Sequence, residues 1–345
     1  MKTAIPLLFS LLMAENAFGQ QADSSKLFSA IKEADRIIAT DPRDFFKNVE
    51  SFIVYDRGHI IFENYYQGIR KDSLHHIQSQ TKSIVSLLLG IAIDQGIIKD
   101  ENEPVALYFP EYFDKNDSLK FRVTIKDLIT MSAGFEWEEM IPFEDPKNDN
   151  TRMYRSGHWL EYALSRPMAA KPFTAFKYNS GCPMIVAGII EKATRMPLDK
   201  FAEKTLFKAL GIRNYRWVKD STGFCHAGGG LYLKPSDVIK IGELILDNGT
   251  YQGKRMVSEN WIRRSFQSYF TTEFNNKDYG YFWWIKKMPA GRDGTTRVLS
   301  AEGAGGQSLF IIPEYHLVIS FTEHNYTTPQ VGPWTLRESI LPNLK

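Results

Sequence analysis

Apolar residues recur at helical spacing in several stretches of the chain. In residues 24–40 they fall on one face, which predicts an amphipathic helix that ends at Asp41-Pro42. In residues 80–95 they cover most faces, and such a helix is buried inside a large protein. The same spacing predicts further helices at residues 124–130, 158–165, 184–192, 198–210, 234–248 and 334–341.

Runs rich in aromatic and β-branched residues predict strands near both ends of the chain. Residues 51–55 and 59–65 flank Asp56-Arg57-Gly58 and predict a hairpin. Four more strands are predicted at residues 279–285, 297–301, 308–312 and 317–322. Residues 110–220 carry mostly helical and loop signals. We therefore expect one sheet built from both ends of the chain, about residues 24–109 and 221–345, with an all-α region inserted at about 110–220.

The first nineteen residues have the features of a cleaved secretory signal peptide. A short positive start precedes an apolar run at residues 4–13, and small residues follow up to Gly19. Pro6 and the change to polar residues at Gln20 argue against a buried N-terminal helix. The run is too short to span a bilayer, which needs about 20 residues. We expect cleavage after Gly19 and an exported, periplasmic or secreted mature domain without a transmembrane segment.

Composition excludes several classes of protein. The chain has 345 residues, long enough for two domains or for one domain with a large insertion. Its 42 Lys and Arg against 40 Asp and Glu give a net charge of +2, which does not fit a nucleic-acid-binding surface. Two cysteines exclude a disulfide scaffold and a four-cysteine zinc site. Whether Cys182 pairs with Cys225, and whether the protein oligomerises, is left open.

Motifs for metals, phosphates and cofactors are missing from the sequence. The seven histidines show no ligand spacing, and the adjacent His75 and His76 would point in different directions. Gly228-Gly229-Gly230 lacks the Lys-Ser/Thr of a phosphate-binding loop. His226 beside it is more typical of a structural loop residue than of a catalytic one. We predict no cofactor and no metal.

The strongest chemical signal is Ser79-Gln80-Thr81-Lys82 at the start of the apolar helix. Residues at i and i+3 share a helix face, so the Ser79 hydroxyl and the Lys82 amine can meet. A desolvated lysine gives up its proton more easily, and a neutral amine can accept the serine proton. A second Ser-x-x-Lys, at Ser29 and Lys32, lies on the amphipathic helix, where we expect both side chains to be solvated.

Two further segments are ambiguous when each is taken alone. Tyr178, in Tyr-Asn-Ser-Gly, precedes a predicted helix. It is either an aromatic anchor or a general base, if the charge of a nearby Lys82 lowers the pKa of its hydroxyl. Residues 301–307, Ala-Glu-Gly-Ala-Gly-Gly-Gln, connect two predicted strands. They form either a plain glycine-rich turn or a close backbone approach to a substrate oxygen.

Taken in order, these motifs resemble the penicillin-recognising serine hydrolases: class C β-lactamases, DD-peptidases, related esterases and 6-aminohexanoate-dimer hydrolase. The resemblance covers roughly residues 49–339 and is closest to the esterase and amide-hydrolase branch. Supporting segments are residues 131–137 (MSAGFEW), 176–181, 228–235 (GGGLYLKP), 279–284 (YGYFWW) and 305–307 (GGQ).

The resemblance implies a fold and a mechanism. The fold is α+β, an antiparallel sheet flanked by helices with an all-α region beside it. Ser79 attacks an ester or amide carbonyl, and Lys82 with Tyr178 acts as general base, the principal one being left open. Ser180 supports the lysine. The backbone N–H groups of Ser79 and Ala304 form the oxyanion hole.

The substrate is expected to be a small ester or amide without strong charge. Penicillin-binding members of the family usually carry Lys-Thr-Gly or His-Thr-Gly on the strand of the third motif. If Gly303 fills its glycine position, the basic position is Ala301 and the middle one is Glu302. The basic residue of this motif helps to bind the carboxylate of a β-lactam or of a peptide C-terminus. Its absence therefore disfavours both substrates, unless Arg292, Arg297 or another cation substitutes. Candidate substrate-binding residues are Gly303, Gly305, Gly306, Gln307, Tyr154, Phe135, Trp283 and Trp284.

Two alternative functions compete with the ester or amide hydrolase. One is a cell-wall DD-peptidase or weak β-lactamase, which would release D-Ala from peptides or open a lactam. The other is a non-catalytic binding or sensor protein on the same fold. A pure binder has no need of Ser79, Lys82 and Tyr178 together.

Overall fold

The computed structural model describes residues 24–273 and 275–344, so the predicted signal peptide lies outside the described residues. The α-helices of these ranges are α1 (Ser24–Thr40), α2 (Asp44–Lys47), α3 (Gln80–Asp94), α4 (Ile125–Ile129), α5 (Asp149–Ser156), α6 (Trp159–Leu164), α7 (Gly181–Thr194), α8 (Leu198–Ala202), α9 (Pro235–Leu246), α10 (Glu259–Ser265) and α11 (Val331–Thr335). Short π-helical turns follow α8 and α11. Over the described ranges, every helix is too short or too polar to cross a lipid bilayer.

The strands are β1 (Val49–Asp56), β2 (His59–Tyr65), β3 (His75–His76), β4 (Arg216–Trp217), β5 (Leu231–Leu233), β6 (Thr250–Tyr251), β7 (Lys254–Arg255), β8 (Phe270–Thr271), β9 (Asp278–Tyr279), β10 (Trp284–Ala290), β11 (Gly294–Gly303), β12 (Gln307–Ile312) and β13 (Leu317–Glu323). The main sheet is antiparallel, in the order β2-β1-β13-β12-β11-β10-β9-β8. Its first strand in the chain therefore pairs with its last. This confirms the expectation of one antiparallel sheet built from both ends.

The predicted hairpin is confirmed as β1–β2. Its turn residues Arg57 and Gly58 both have positive φ, at 42° and 96°. A two-residue turn with positive φ at both positions matches the right-handed twist of the flanking strands.

Both faces of the main sheet are buried. Along β1, Ile53 packs into one apolar core, and Phe52 and Val54 into another. The first core contains α3, α7 and α9, and the second contains α1 and the C-terminal helical turns. Successive strand residues point to opposite faces, so a sheet covered on both sides has nearly continuous apolar strands. The six residues of β12, all buried, illustrate this.

The single strand predicted at residues 279–285 is interrupted, which corrects that prediction. Phe282 has a positive φ of 61°, and its N–H bonds to the Ile129 carbonyl of the helical region. Its own carbonyl accepts from the Ser83 hydroxyl on α3 over 2.6 Å. These bonds tie the break to both sides of the molecule. Helix α10 and strand β8 were not predicted.

The helical region lies between α3 and β4. Helices α4, α6 and α8 contact α7, α5 contacts α6, and α7 also contacts α3. Strand β4 falls inside the range predicted to be all-α and pairs with β5. Cys182 and Cys225 are both buried free thiols, so they do not form a disulfide. The region meets the main sheet along a cleft at the start of α3.

Candidate active site

Ser79 lies at the N-terminal end of α3. The residue before it, Gln78, takes a left-handed backbone conformation with φ 51°, and Ser79 itself is already helical. The first turn closes through the N–H of Lys82, which bonds to the Ser79 carbonyl over 3.1 Å. The turn presents Ser79 to the cleft, while Gln80 to Ala92 of α3 are buried.

Lys82 is fully buried one helical turn beyond Ser79. Its Nζ donates to Ser79 Oγ over 2.8 Å and to the Gly228 carbonyl over 2.5 Å. The i, i+3 spacing thus brings the two side chains together as the sequence predicts. In the second Ser-x-x-Lys, Ser29 is exposed and donates to the Ser25 carbonyl, and Lys32 is exposed as well. That copy forms no comparable pair.

Tyr178 adjoins the same pair from the helical side of the cleft. Its ring centroid lies 5.0 Å from Lys82 Nζ. The ring stacks on Trp284 of β10, with centroids 5.9 Å apart and planes 15° apart. Tyr178, Trp284 and Ser79 all line the cleft. Ser79, Lys82 and Tyr178, the three residues predicted to carry catalysis, are therefore neighbours.

Glu139 is a site residue that the sequence did not reveal. Its Oε2 accepts from the Ser180 N–H over 2.7 Å and from Trp137 Nε1 over 2.6 Å, while Oε1 accepts from Ser180 Oγ over 2.9 Å. Burial raises the pKa of Glu139, and the Lys82 charge and the Ser180 hydrogen bonds oppose that shift. The carboxylate thus holds the turn after Tyr178 and lies within electrostatic range of Lys82. Its one sequence signal is its place two residues after Trp137, in a segment rich in acids.

The third predicted motif reaches the cleft at the end of β11. A Cβ on Gly303 would lie 2.7 Å from the Ile77 carbonyl oxygen and 2.7 Å from Gln78 Cβ. Glycine therefore lets the strand pack directly on the turn before Ser79. Ala304 follows at the wall of the cleft.

The side chain of Ala301 points away from the cleft. It lies in the core beside Ile77 and Ser83, behind α3. The two arginines that could replace the missing basic residue at position 301 do not line the cleft. Arg292 is exposed in the β10–β11 turn, and Arg297 donates to the Phe266 carbonyl. Glu302, the residue after Ala301, pairs with Lys277.

The cleft has a volume of about 930 Å³. Of the predicted substrate-binding residues, Tyr154, Trp284 and Gly303 line it, together with Ala304. Tyr154 is 57% exposed, and Met140 and Phe143 form further exposed apolar surface at the mouth. The cleft offers apolar contact area around the nucleophile.

Five predicted substrate-binding residues lie elsewhere, which corrects their assignment. Phe135 is buried against Phe113, with ring centroids 6.3 Å apart, and Trp283 is fully buried against Phe266 at 5.1 Å. The other three form the β11–β12 turn or follow it, and they face away from the cleft: Gly305 packs on Tyr326, Gly306 packs on Glu323, and Gln307 donates to the Glu323 carbonyl. The residue type alone does not show whether a side chain points into the core or into the cleft.

His226 lines the cleft without being placed to exchange protons near neutral pH. Its ring packs edge-on against Trp159 at 4.8 Å. Burial, reinforced by the Lys82 charge, lowers the pKa of His226 to about 3, so the ring is neutral. Within the described ranges, no group of histidine, cysteine and acidic side chains is arranged to hold a metal ion.

Comparison with known proteins identifies the family. The family model described as Beta-lactamase matches residues 50–332. A 6-aminohexanoate-dimer hydrolase of Paenarthrobacter ureafaciens is 25% identical over 290 residues, covering 78% of this chain and 71% of that protein.

Two solved structures share the fold at low sequence identity. One is EstCE1, a hydrolase with promiscuous acyltransferase activity, with a TM-score of 0.72 at 13% identity over 92% of this chain and 99% of that one. The other is the octameric penicillin-binding protein homologue of Pyrococcus abyssi, with a TM-score of 0.66 at 18% identity over 91% and 76%. From the family match over most of its length, the chain belongs to the β-lactamase family, and it is a hydrolase of the serine type found there.

Proposed function

We propose that the protein is an exported hydrolase that cleaves a small ester or amide through an acyl-enzyme on Ser79. The observation that carries this proposal is the 2.8 Å contact between Lys82 Nζ and Ser79 Oγ inside a cleft of about 930 Å³. A serine hydroxyl becomes a nucleophile when an adjacent base removes its proton. Lys82 is buried and held in place for that purpose.

The reaction proceeds in two halves. Ser79 Oγ attacks the carbonyl carbon, and its proton passes to the Lys82–Tyr178 pair. The carbonyl oxygen becomes negative and is held by the N–H groups of Ser79 and Ala304, each contributing about 3 kcal/mol. The proton then moves to the departing alcohol or amine. Water attacks the acyl-enzyme with the same base, and Ser79 is restored.

The placement of Ala301 supports an uncharged substrate over a β-lactam. Its side chain is in the core, so no cation extends from that position toward the cleft. We expect weak or absent hydrolysis of nitrocefin by the purified protein. A separate measurement of D-Ala release from muropeptides by the same purified protein would show whether a cell-wall peptidase activity exists instead.

The test is a comparison of the two Ser-x-x-Lys serines. Wild type, Ser79→Ala and Ser29→Ala are assayed with p-nitrophenyl butyrate and labelled with a fluorophosphonate, and the adduct is located by mass spectrometry. We expect Ser79→Ala to abolish turnover and labelling, and Ser29→Ala to behave as wild type. An adduct on another residue, or turnover that survives Ser79→Ala, contradicts the mechanism.

Export is tested separately from catalysis. The N-terminal sequence of the protein recovered from cells after expression with its full leader should begin at Gln20. A mature chain that retains Met1 would contradict the proposed cleavage after Gly19.

A further inference from the structure

A lysine and a hydroxyl hold one of the protein's own carboxylates at the wall of the cleft. Lys277 Nζ contacts both oxygens of Glu302, with Oε1 at 2.6 Å. Ser300 Oγ donates to the same Oε1 over 2.7 Å. A cation that spans both oxygens together with a hydroxyl donor is an arrangement that binds a carboxylate. Here the bound carboxylate belongs to the chain.

This ion pair is shielded more than a surface pair. The side chains of Lys277 and Glu302 are 18% and 22% exposed, whereas those of the surface pair Lys177 and Glu138 are 46% and 42% exposed. Lys277 Nζ also lies 5.8 Å from the Trp284 ring centroid. Charges that are partly withdrawn from water are screened less by salt. Glu302 and Lys277 therefore influence a bound ligand more than exposed charges do.

The pair lies next to the reacting groups. Glu302 lines the cleft and directly precedes Gly303, which packs on the turn before Ser79. Ala304, the second donor of the proposed oxyanion hole, follows. Glu302 therefore lines the same cleft as Ser79 and Ala304.

We propose that Glu302 fills, with an internal carboxylate, the position in which Lys277 and Ser300 would otherwise bind a carboxylate of the substrate. The ion pair thereby selects acyl groups that carry no negative charge. This inference rests on the proposed function, since it names the substrate class of the same cleft.

The selection has two physical sources. The Glu302 charge repels a substrate carboxylate directly. A substrate carboxylate would also have to displace Glu302, which is tethered in the same chain and therefore present at a high effective concentration. Breaking the pair would leave a partly buried charge without its counterion, which is costly. An uncharged acyl group avoids both penalties.

The test compares two esters of similar acyl length, p-nitrophenyl butyrate and the anionic mono-p-nitrophenyl ester of glutaric acid. For wild type we expect kcat/KM to favour the neutral ester. Glu302→Gln removes the charge and keeps the side-chain size, which leaves Lys277 without its carboxylate partner. We expect it to shift the anionic-to-neutral ratio of kcat/KM at least about tenfold toward the anionic ester. The double variant Glu302→Gln with Lys277→Met should lose that gain.

Glu138→Gln is the matched control, because it removes the same charge from the exposed pair with Lys177. It should leave the ratio within about twofold of wild type. An equal shift in Glu138→Gln and Glu302→Gln would show a general field effect and overturn the proposal. An unchanged ratio in Glu302→Gln would overturn it as well.

A binding measurement separates this inference from the proposed function. Glutarate should raise the Tm of Glu302→Gln and leave that of wild type unchanged, because a ligand stabilises the folded state that binds it. If wild type hydrolyses neither ester, the proposed function fails and the glutarate result alone decides the inference. A Tm of Glu302→Gln that glutarate does not change would then overturn it.

Discussion

The carbonyl oxygen of Gly228 accepts a hydrogen bond of 2.5 Å from Lys82 Nζ. The lysine amine is thus fixed by the loop before β5 as well as by its own helix. A Cβ on Gly228 would lie 3.1 Å from the Ser180 carbonyl oxygen, so this loop packs closely on the turn after Tyr178. The glycine loop joins the Ser79 and Tyr178 sides of the site at the lysine.

Lys82→Met should reduce kcat by about 10²- to 10⁴-fold, the usual contribution of a general base. Methionine keeps an unbranched side chain in the buried site but cannot accept a proton. Lys32→Met, in the exposed copy of the motif, is the control and should keep wild-type activity. The measurement is p-nitrophenyl butyrate turnover together with the rate of fluorophosphonate labelling. Labelling of Lys82→Met at the wild-type rate would remove the lysine from the mechanism.

Tyr178→Phe should lower kcat by about 10²-fold or more while KM changes little. Phenylalanine preserves the stack on Trp284, so the variant tests the hydroxyl and not the packing. Steady-state kinetics on p-nitrophenyl butyrate separates the two parameters. A rise in KM with unchanged kcat would assign Tyr178 to substrate binding and not to proton transfer.

Glu139→Gln should lower kcat by about 10- to 100-fold, because the charge-assisted hydrogen bonds to Ser180 and Trp137 weaken. The pH profile provides a second readout. Burial raises the pKa of Glu139, so wild type loses this negative charge as pH falls, at a higher pH than an exposed glutamate would. The variant lacks that protonation step, and the acid side of its kcat profile should be less steep.

Glu138→Gln is the control for this prediction, since its carboxylate pairs with Lys177 at the surface. It should show the wild-type kcat and pH profile. An identical acid limb in Glu139→Gln and wild type would limit Glu139 to a structural role.

Gly303→Ala should reduce kcat about 10²-fold, the usual effect of displacing catalytic groups by about 1 Å. The added Cβ would lie 2.7 Å from the Ile77 carbonyl oxygen, so β11 has to move away from the turn before Ser79. Gly229→Ala tests the neighbouring glycine loop, where a Cβ meets its nearest atom at 3.5 Å, and its loss should be smaller. Equal losses in the two variants would contradict the assignment of close approach to Gly303.

Stability should fall as pH rises from about 5 to 8 because of Glu323. This carboxyl is fully buried and accepts from the N–H groups of Val331 and Gly332 at the start of α11. Burial raises the pKa of Glu323 to about 7 from 4.5. The folded state therefore binds more protons than the unfolded state between these values, and rising pH costs on the order of 3 kcal/mol.

Urea unfolding of wild type and Glu323→Gln at pH 5 and pH 8 measures this effect. The variant carries no titrating group at this position, so its free energy of unfolding should depend less on pH. The same pH dependence in both proteins would contradict the prediction.

The parts of the site that were predicted from sequence depend on local spacing. Ser79 and Lys82 are three residues apart on one apolar helix, so their contact follows from helix geometry alone. Tyr178 gained its role only through the family resemblance. Glu139 was missed because its partner Ser180 lies 41 residues away, and nothing local separates it from the acids around it.

The strand and aromatic predictions failed where tertiary contacts decide. The interruption at Phe282 depends on a hydrogen bond to Ile129, which the local apolar run does not reveal. Trp283 and Trp284 are adjacent, yet one is in the core and the other lines the cleft. Successive residues of a strand point to opposite faces of the sheet. An error in where a strand begins, such as the missed interruption at Phe282, therefore changes which residue is assigned to the core and which to the cleft.

The pairing of β1 with β13 has a consequence for biosynthesis. Ser51 and Thr322 share a hydrogen bond although they are 271 residues apart in the chain. Strand β1 lies between β2 and β13, so β1 gains its second neighbour only after β13 has left the ribosome. Contacts of such long range also slow folding. The sheet behind Ser79 is therefore complete only once β13 is available, and nascent chains in which β13 has not emerged should remain sensitive to protease.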